Sequence, residues 1–140
     1  MSIYTVSGGM TILGSDSVQG SAATSDTVTL LFSGGSISVS AVESVVGTAG
    51  TTDVAYLLGT GSASDLSVTA IETVMGRGGD TDVVTLIGGY GTLKVSQVET
   101  VIGTTGAGEI VAMLSAGGLT VSDNESVEGP SGTDKVALPA

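Results

Sequence analysis

Short aliphatic bursts separated by Gly, Ser, Thr and Asp run the length of this chain, and they come in threes. The first burst alternates with period two, placing apolar residues at Met10 and Ile12, Ile37 and Val39, Leu66 and Val68, Leu93 and Val95, and Leu119 and Val121. That period marks a half-buried strand. The second burst is the signature acid, Ser or Thr, Val, any residue, Gly. It appears as Asp16-Ser17-Val18-Gln19-Gly20 and Glu43-Ser44-Val45-Val46-Gly47, again at Glu72 to Gly76 and Glu99 to Gly103, and finally as Glu125-Ser126-Val127-Glu128-Gly129. The acids are 27, 29, 27 and 26 residues apart. The third burst is a longer aliphatic run: Val28 to Phe32, Val54 to Leu58, Val83 to Ile87, Ile110 to Leu114, with a partial copy at Val136 to Leu138. Each full run breaks at a turn such as Gly34-Gly35 or Gly88-Gly89.

The pattern predicts three short strands per repeat, called a, b and c. β-branched residues dominate them and helix formers are few, which excludes a helical repeat. A three-strand unit cannot bury its own apolar face, but stacked units make continuous columns of Val, Ile and Leu. The expectation is an all-β parallel β-solenoid of about five coils, each coil one repeat of ~27 residues with three strands, roughly 24 Å tall at the usual strand spacing. Residues 1–140 form one domain, with repeats at about 1–20, 21–47, 48–76, 77–103 and 104–129 and a partial repeat at 130–140. An antiparallel sandwich of regular hairpins is the competing arrangement, and the column-by-column identity of residue type disfavours it.

Charge narrows the function. Fourteen acidic residues against Arg77, Lys94 and Lys135 give a net charge of −11, which excludes nucleic acid and anionic membrane surfaces as partners, since both need clustered cations. No run of 18 apolar residues is present, so membrane insertion is not expected. The chain has no Cys, His or Trp, which removes disulfides, thiolate and imidazole metal sites and the usual general base. An enzyme is not expected, and neither is a small-molecule substrate. A polysaccharide-cleaving β-helix needs cationic catalytic groups and aromatic platforms that three cations and four aromatics do not furnish. Paired acids such as Asp80 and Asp82 lie too close for glycosidase spacing.

The segments Gly47-Thr48-Ala49-Gly50-Thr51-Thr52-Asp53-Val54 and Gly76-Arg77-Gly78-Gly79-Asp80-Thr81-Asp82-Val83 resemble the hemolysin-type, calcium-binding Gly/Asp repeats of secreted bacterial proteins. The pattern of those repeats is G-G-x-G-x-D-x-U-x. Here the second Gly is replaced by Ser21, Thr48, Arg77, Thr104 and Pro130. The resemblance implies a secreted, solenoid-like bacterial protein. No basic and apolar leader stands at Met1-Ser2-Ile3-Tyr4, so the expected location is extracellular or at the cell surface by a non-cleaved export route, with the cytoplasm as the alternative.

Stacked repeats put equivalent acids over one another, so Asp16, Glu43, Glu72, Glu99 and Glu125 are expected in one column and Asp26, Asp53, Asp82 and Glu109 in a second. Two carboxylates 4.8 Å apart repel by about 0.9 kcal/mol in water. The first column finds relief by capping turn N–H groups. The second column is the candidate metal site. Its carboxylates suit Ca²⁺, although no cofactor is required.

Strand c carries apolar residues on both faces. With Val28, Leu30 and Phe32 inward, Leu31 points out, and Leu57, Leu86 and Met113 are expected beside it. A fully apolar strand in a small solenoid implies that something covers its second face. The chain also opens on a strand-c fragment containing Ile3 and Tyr4 and closes on another containing Val136 and Leu138, so the two ends match. These residues are the candidate self-association surface. The leading expectation is a homopolymer: a subunit of an extracellular filament, sheath or surface layer, built by head-to-tail stacking and lateral apolar contact. A calcium-responsive repeat module of a secreted adhesin is the alternative. A cytoplasmic scaffold resembling bactofilins is the third.

Overall fold

The computed structural model describes residues 3–12, 16–21, 25–31, 34–49, 52–58, 65–79, 81–88, 91–104, 108–115, 118–123, 126–130 and 135–137. They form a parallel β-solenoid without helix, so no helix is long and apolar enough to cross a membrane. Among the described residues, sixteen strands divide equally between two sheets. One sheet holds β1 (Ile3–Thr5), β3 (Asp16–Gln19), β5 (Ser36–Ser40), β7 (Val54–Leu57), β9 (Thr73–Met75), β11 (Thr92–Ser96), β13 (Ile110–Met113) and β15 (Ser126–Glu128). The other holds β2 (Gly9–Ile12), β4 (Thr27–Leu30), β6 (Ser44–Val46), β8 (Asp65–Thr69), β10 (Val83–Leu86), β12 (Thr100–Ile102), β14 (Gly118–Ser122) and β16 (Lys135–Ala137). Every pairing is parallel and joins a strand to the next but one in sequence.

The coil therefore differs from the expected one. A turn takes two strands and roughly 18 residues, whereas the sequence repeat has three strands and about 27, so one repeat spans one and a half turns. Strand a of successive repeats is β2, β5, β8, β11 and β14, and these alternate between the sheets. Within each sheet the strand types cycle: β5, β7, β9 and β11 are a, c, b and a. Consecutive repeats are thus related by a half turn about the solenoid axis and a rise of one and a half strand spacings, about 7 Å. Eight strands per sheet make the stack about 34 Å tall, longer and narrower than five three-sided coils.

The alternation read from the sequence fills the space between the sheets. Strand a contributes two inward residues (Ile37 and Val39, Leu66 and Val68), strand b one (Val45, Val74, Val101) and strand c two (Val28 and Leu30, Val84 and Leu86), all buried in one cluster. At the a–b corner, Val42, Ile71 and Val98 fold in to seal the edge of that cluster. Burying such a side chain stabilises by about 1.5–3 kcal/mol, and β-branched residues lose little rotamer freedom there.

Candidate functional site

Two features repeat on this scaffold with chemical consequence: a buried acid at one corner of each repeat and an exposed aliphatic residue beyond strand c. The acid comes first. Asp26, Asp53, Asp82 and Glu109 stand immediately before β4, β7, β10 and β13, and each is at most 1% exposed. An isolated buried carboxylate is strongly destabilising, so it must collect hydrogen bonds. Asp53 does so from two loops. Its Oδ1 accepts the Gly35 N–H at 2.9 Å from the turn below, and its Oδ2 accepts the Thr48 N–H at 2.7 Å and the Thr48 hydroxyl at 2.9 Å from its own loop. Asp26 accepts from Gly8 and Ser21 in the same way. Asp82 accepts the Arg77 N–H, and Glu109 accepts both the N–H and the hydroxyl of Thr104.

The first acid of each signature completes the corner. Glu43, Glu72 and Glu99 accept the backbone N–H of Asp26, Asp53 and Asp82 at 2.7, 2.8 and 2.8 Å. The same aspartates return their carbonyls to the N–H groups of residues 43 and 44, 72 and 73, and 99 and 100. Each corner is thus a clamp between one turn and the next. The signature Gly fits because nothing larger can: a Cβ on Gly20, Gly47 or Gly76 would lie 1.7, 2.0 or 2.0 Å from the carbonyl oxygen of Ala41, Ala70 or Gln97. Those carbonyls belong to residues in the left-handed region, with φ of 51°, 49° and 55°.

This placement corrects the expected columns. Because repeats alternate sides, Asp26 and Asp82 stand beside one sheet and Asp53 and Glu109 beside the other, three strand spacings apart within each pair. Asp16, Glu43, Glu72 and Glu99 alternate likewise, and Glu125 lies outside the described residues. Equivalent acids therefore do not stack on adjacent turns; instead the two kinds of acid adjoin in pairs, Asp26 with Glu43, Asp53 with Glu72 and Asp82 with Glu99. No group of three or more Asp or Glu converges among the described residues, and each of the four carboxylates assigned to Ca²⁺ already accepts at least one backbone N–H.

The aliphatic residue also moves. Leu31 is exposed as expected, at 56%. Leu57, Leu86 and Met113 are buried, at 5%, 1% and 8%, and they face the core. Their true counterpart in the second repeat is Leu30, not Leu31. The acid sets the register: two and four residues after it point inward, and the fifth points out. That fifth residue is Leu31, Leu58, Ile87 and Leu114, exposed by 56%, 43%, 49% and 48%. Each donates its N–H to the last inward residue of the preceding strand a: Ile12, Val39, Val68 and Val95. Aligning strand c on the acid instead of on the aliphatic run would have revealed this ridge from sequence.

At the ends, Tyr4 in β1 and Val136 in β16 occupy inward columns, opposite Val18 and Leu119. They are nonetheless 38% and 42% exposed, because no further strand among the described residues covers them. Ile3 lies in β1, and Leu138 lies outside the described residues. A cavity of about 190 Å³ opens beside Tyr4, Met10 and Ile12.

The chain matches no protein-family model, no curated protein and no solved structure.

Proposed function

We propose that this solenoid is a self-assembling structural subunit of an extracellular bacterial filament, sheath or surface layer. The carrying observation is that, among the described residues, no strand covers the core beyond the first and last rungs. β1 and β2 at one end and β15 and β16 at the other each have a hydrogen-bonding edge with no strand partner among the described residues, and Tyr4 and Val136 leave apolar surface above those edges. Open parallel edges are templates for another strand. Both ends present two strands in the same two-sheet cross-section, so the rung that covers one end is the other end of a second copy. The extracellular setting rests on the resemblance to secreted Gly/Asp repeats.

Negative-stain microscopy of the purified protein over a concentration series, with and without a chelator, tests this reading. Ordered polymers that persist in chelator are expected. A monomer at every concentration sinks the proposal, and assembly or folding that appears only with Ca²⁺ favours the adhesin-like calcium module instead.

A further inference from the structure

The half-turn relation between repeats places the ridge on both sides of the molecule. Leu31 and Ile87 follow β4 and β10 on one sheet, while Leu58 and Leu114 follow β7 and β13 on the other. Each pair is separated by three strand spacings, about 14 Å. The two outer faces therefore carry the same apolar spacing, offset by a half turn. Between the ridge residues both faces are mostly Ser, Thr and half-buried aliphatics, such as Thr29, Val46 and Thr69 on one and Ser38, Met75 and Ser96 on the other, where Tyr56 stands exposed between Ser38 and Met75.

Charge is sparse on these faces. Among the described residues, Asp65 on one face and Lys94 and Glu128 on the other stand at outward strand positions, and the remaining acids sit at corners or inside the clamps. A molecule of net charge −11 can thus bring two sheet faces together with little like-charge opposition.

Area separates the two modes of association. The end of the core measures about 10 Å between sheets by 15 Å along the strands, roughly 150 Å². A sheet face measures about 34 Å by 15 Å, roughly 500 Å². A specific interface buries at least about 1,000 Å² summed over both partners. Two sheet faces reach that figure, whereas the apolar core exposed at two ends falls far below it.

We propose, building on the assembly reading above, that the primary contact is lateral and that its occupant is a second copy of this chain, sheet face against sheet face, with the aliphatic ridges along the strand-end margin of each face. Because each copy offers the ridge on two opposite faces, the contact does not close at a dimer. It propagates sideways, and end stacking extends structures that lateral contact has already nucleated. The product is a ribbon or sheet several solenoids wide.

The test uses Leu31→Ser with Ile87→Ser, Leu58→Ser with Leu114→Ser, and all four together. All four residues are exposed, and circular dichroism checks that each variant keeps the wild-type β signal. By sedimentation velocity and negative stain, wild type should give assemblies several solenoids wide. Each two-site variant should stop at widths of no more than two solenoids, and the four-site variant should lose lateral association. Wild-type fibres one solenoid wide, or a four-site variant as wide as wild type, would overturn the lateral contact while leaving self-assembly intact. A wild-type monomer at every concentration would overturn both.

Discussion

A glycine that ends each acid-containing signature and a carboxylate six residues after it do the same job from two sides: together they let one turn approach the next. The space available decides how much each matters. At Gly76 an added Cβ would meet the Gln97 carbonyl oxygen at 2.0 Å and the Asp82 Oδ2 at 2.5 Å, and neither atom can retreat without opening a clamp. Gly76→Ala should therefore cost about 3 kcal/mol or more, at the upper end of overpacking effects. Gly91 has nothing within 4 Å of its would-be Cβ and no positive φ, so Gly91→Ala should stay within about 0.5 kcal/mol of wild type. Urea unfolding of the two variants measures the contrast, and equal losses would refute the clamp. The carboxylate can be tested at Asp53. Asp53→Asn keeps the volume but replaces one acceptor oxygen by a donor, which then faces the N–H group of Gly35 or Thr48. A buried donor left without its acceptor costs about 1–3 kcal/mol, so a loss of at least about 2 kcal/mol is expected. An Asn variant as stable as wild type would mean that the carboxylate does not hold the corner.

At the scale of the element, the strands themselves were legible because period-two alternation and Gly-rich turns are local signals. Both strands a and b fall where the pattern places them, and β5, β8 and β11 bury the residues that alternation assigns to the core. Strand c misled because it is apolar at consecutive positions. Leu30 and Leu31 are assigned to the right sides, but two adjacent leucines let Leu57, Leu86 and Met113 be matched to Leu31 instead of Leu30, which put them on the wrong side. The corner geometry was not legible at all. The residue two before each acid takes a left-handed conformation although it is Ala41, Ala70, Gln97 or Asp123 and not Gly, so its identity gives no warning. Such a residue costs about 1–2 kcal/mol, and the stacked turns must supply that energy. The consequence is checkable at Ala70. Asn tolerates this region, so Ala70→Asn should change stability by less than about 0.5 kcal/mol, whereas the β-branched Ala70→Val should lose about 1–2 kcal/mol. If Val is tolerated as well as Asn, thermal unfolding will have shown that the corner relaxes and that the left-handed residue is not what turns the chain.

For the whole molecule, the sequence period and the structural period are different numbers. Three strands of the same lengths can wind once around a three-sided coil or one and a half times around a two-sided one, and hydrophobic pattern alone does not distinguish them. The distinction lies in the clamp. Asp53 reaches Gly35 below it and Glu72 above it, and contacts 18 or 19 residues away fit a two-strand turn and not a coil of about 27. The unit that can be removed without breaking the pattern is therefore the repeat and not the turn. Deleting residues 48–76 removes β7, β8 and β9, one strand of each type. Every later strand then moves to the opposite sheet. The cycle survives, because β10, a strand c, now lies beside β5 just as β7 did, and Asp82 meets Gly35 where Asp53 had been. Deleting residues 54–71 removes about one turn, β7 and β8, and leaves every later strand in its own sheet. It also sets β9, a strand b, directly beside β5, a strand a, and strips the clamp of its strand c. Stability in a stacked array is close to a sum of repeat and neighbour terms. The first deletion should therefore keep cooperative unfolding with a loss in proportion to the repeat removed. The second should unfold at markedly lower denaturant with a shallower transition, although it removes fewer residues. If the shorter deletion proves the more stable of the two, the half-turn relation between repeats is wrong, and with it the placement of the same ridge on both faces.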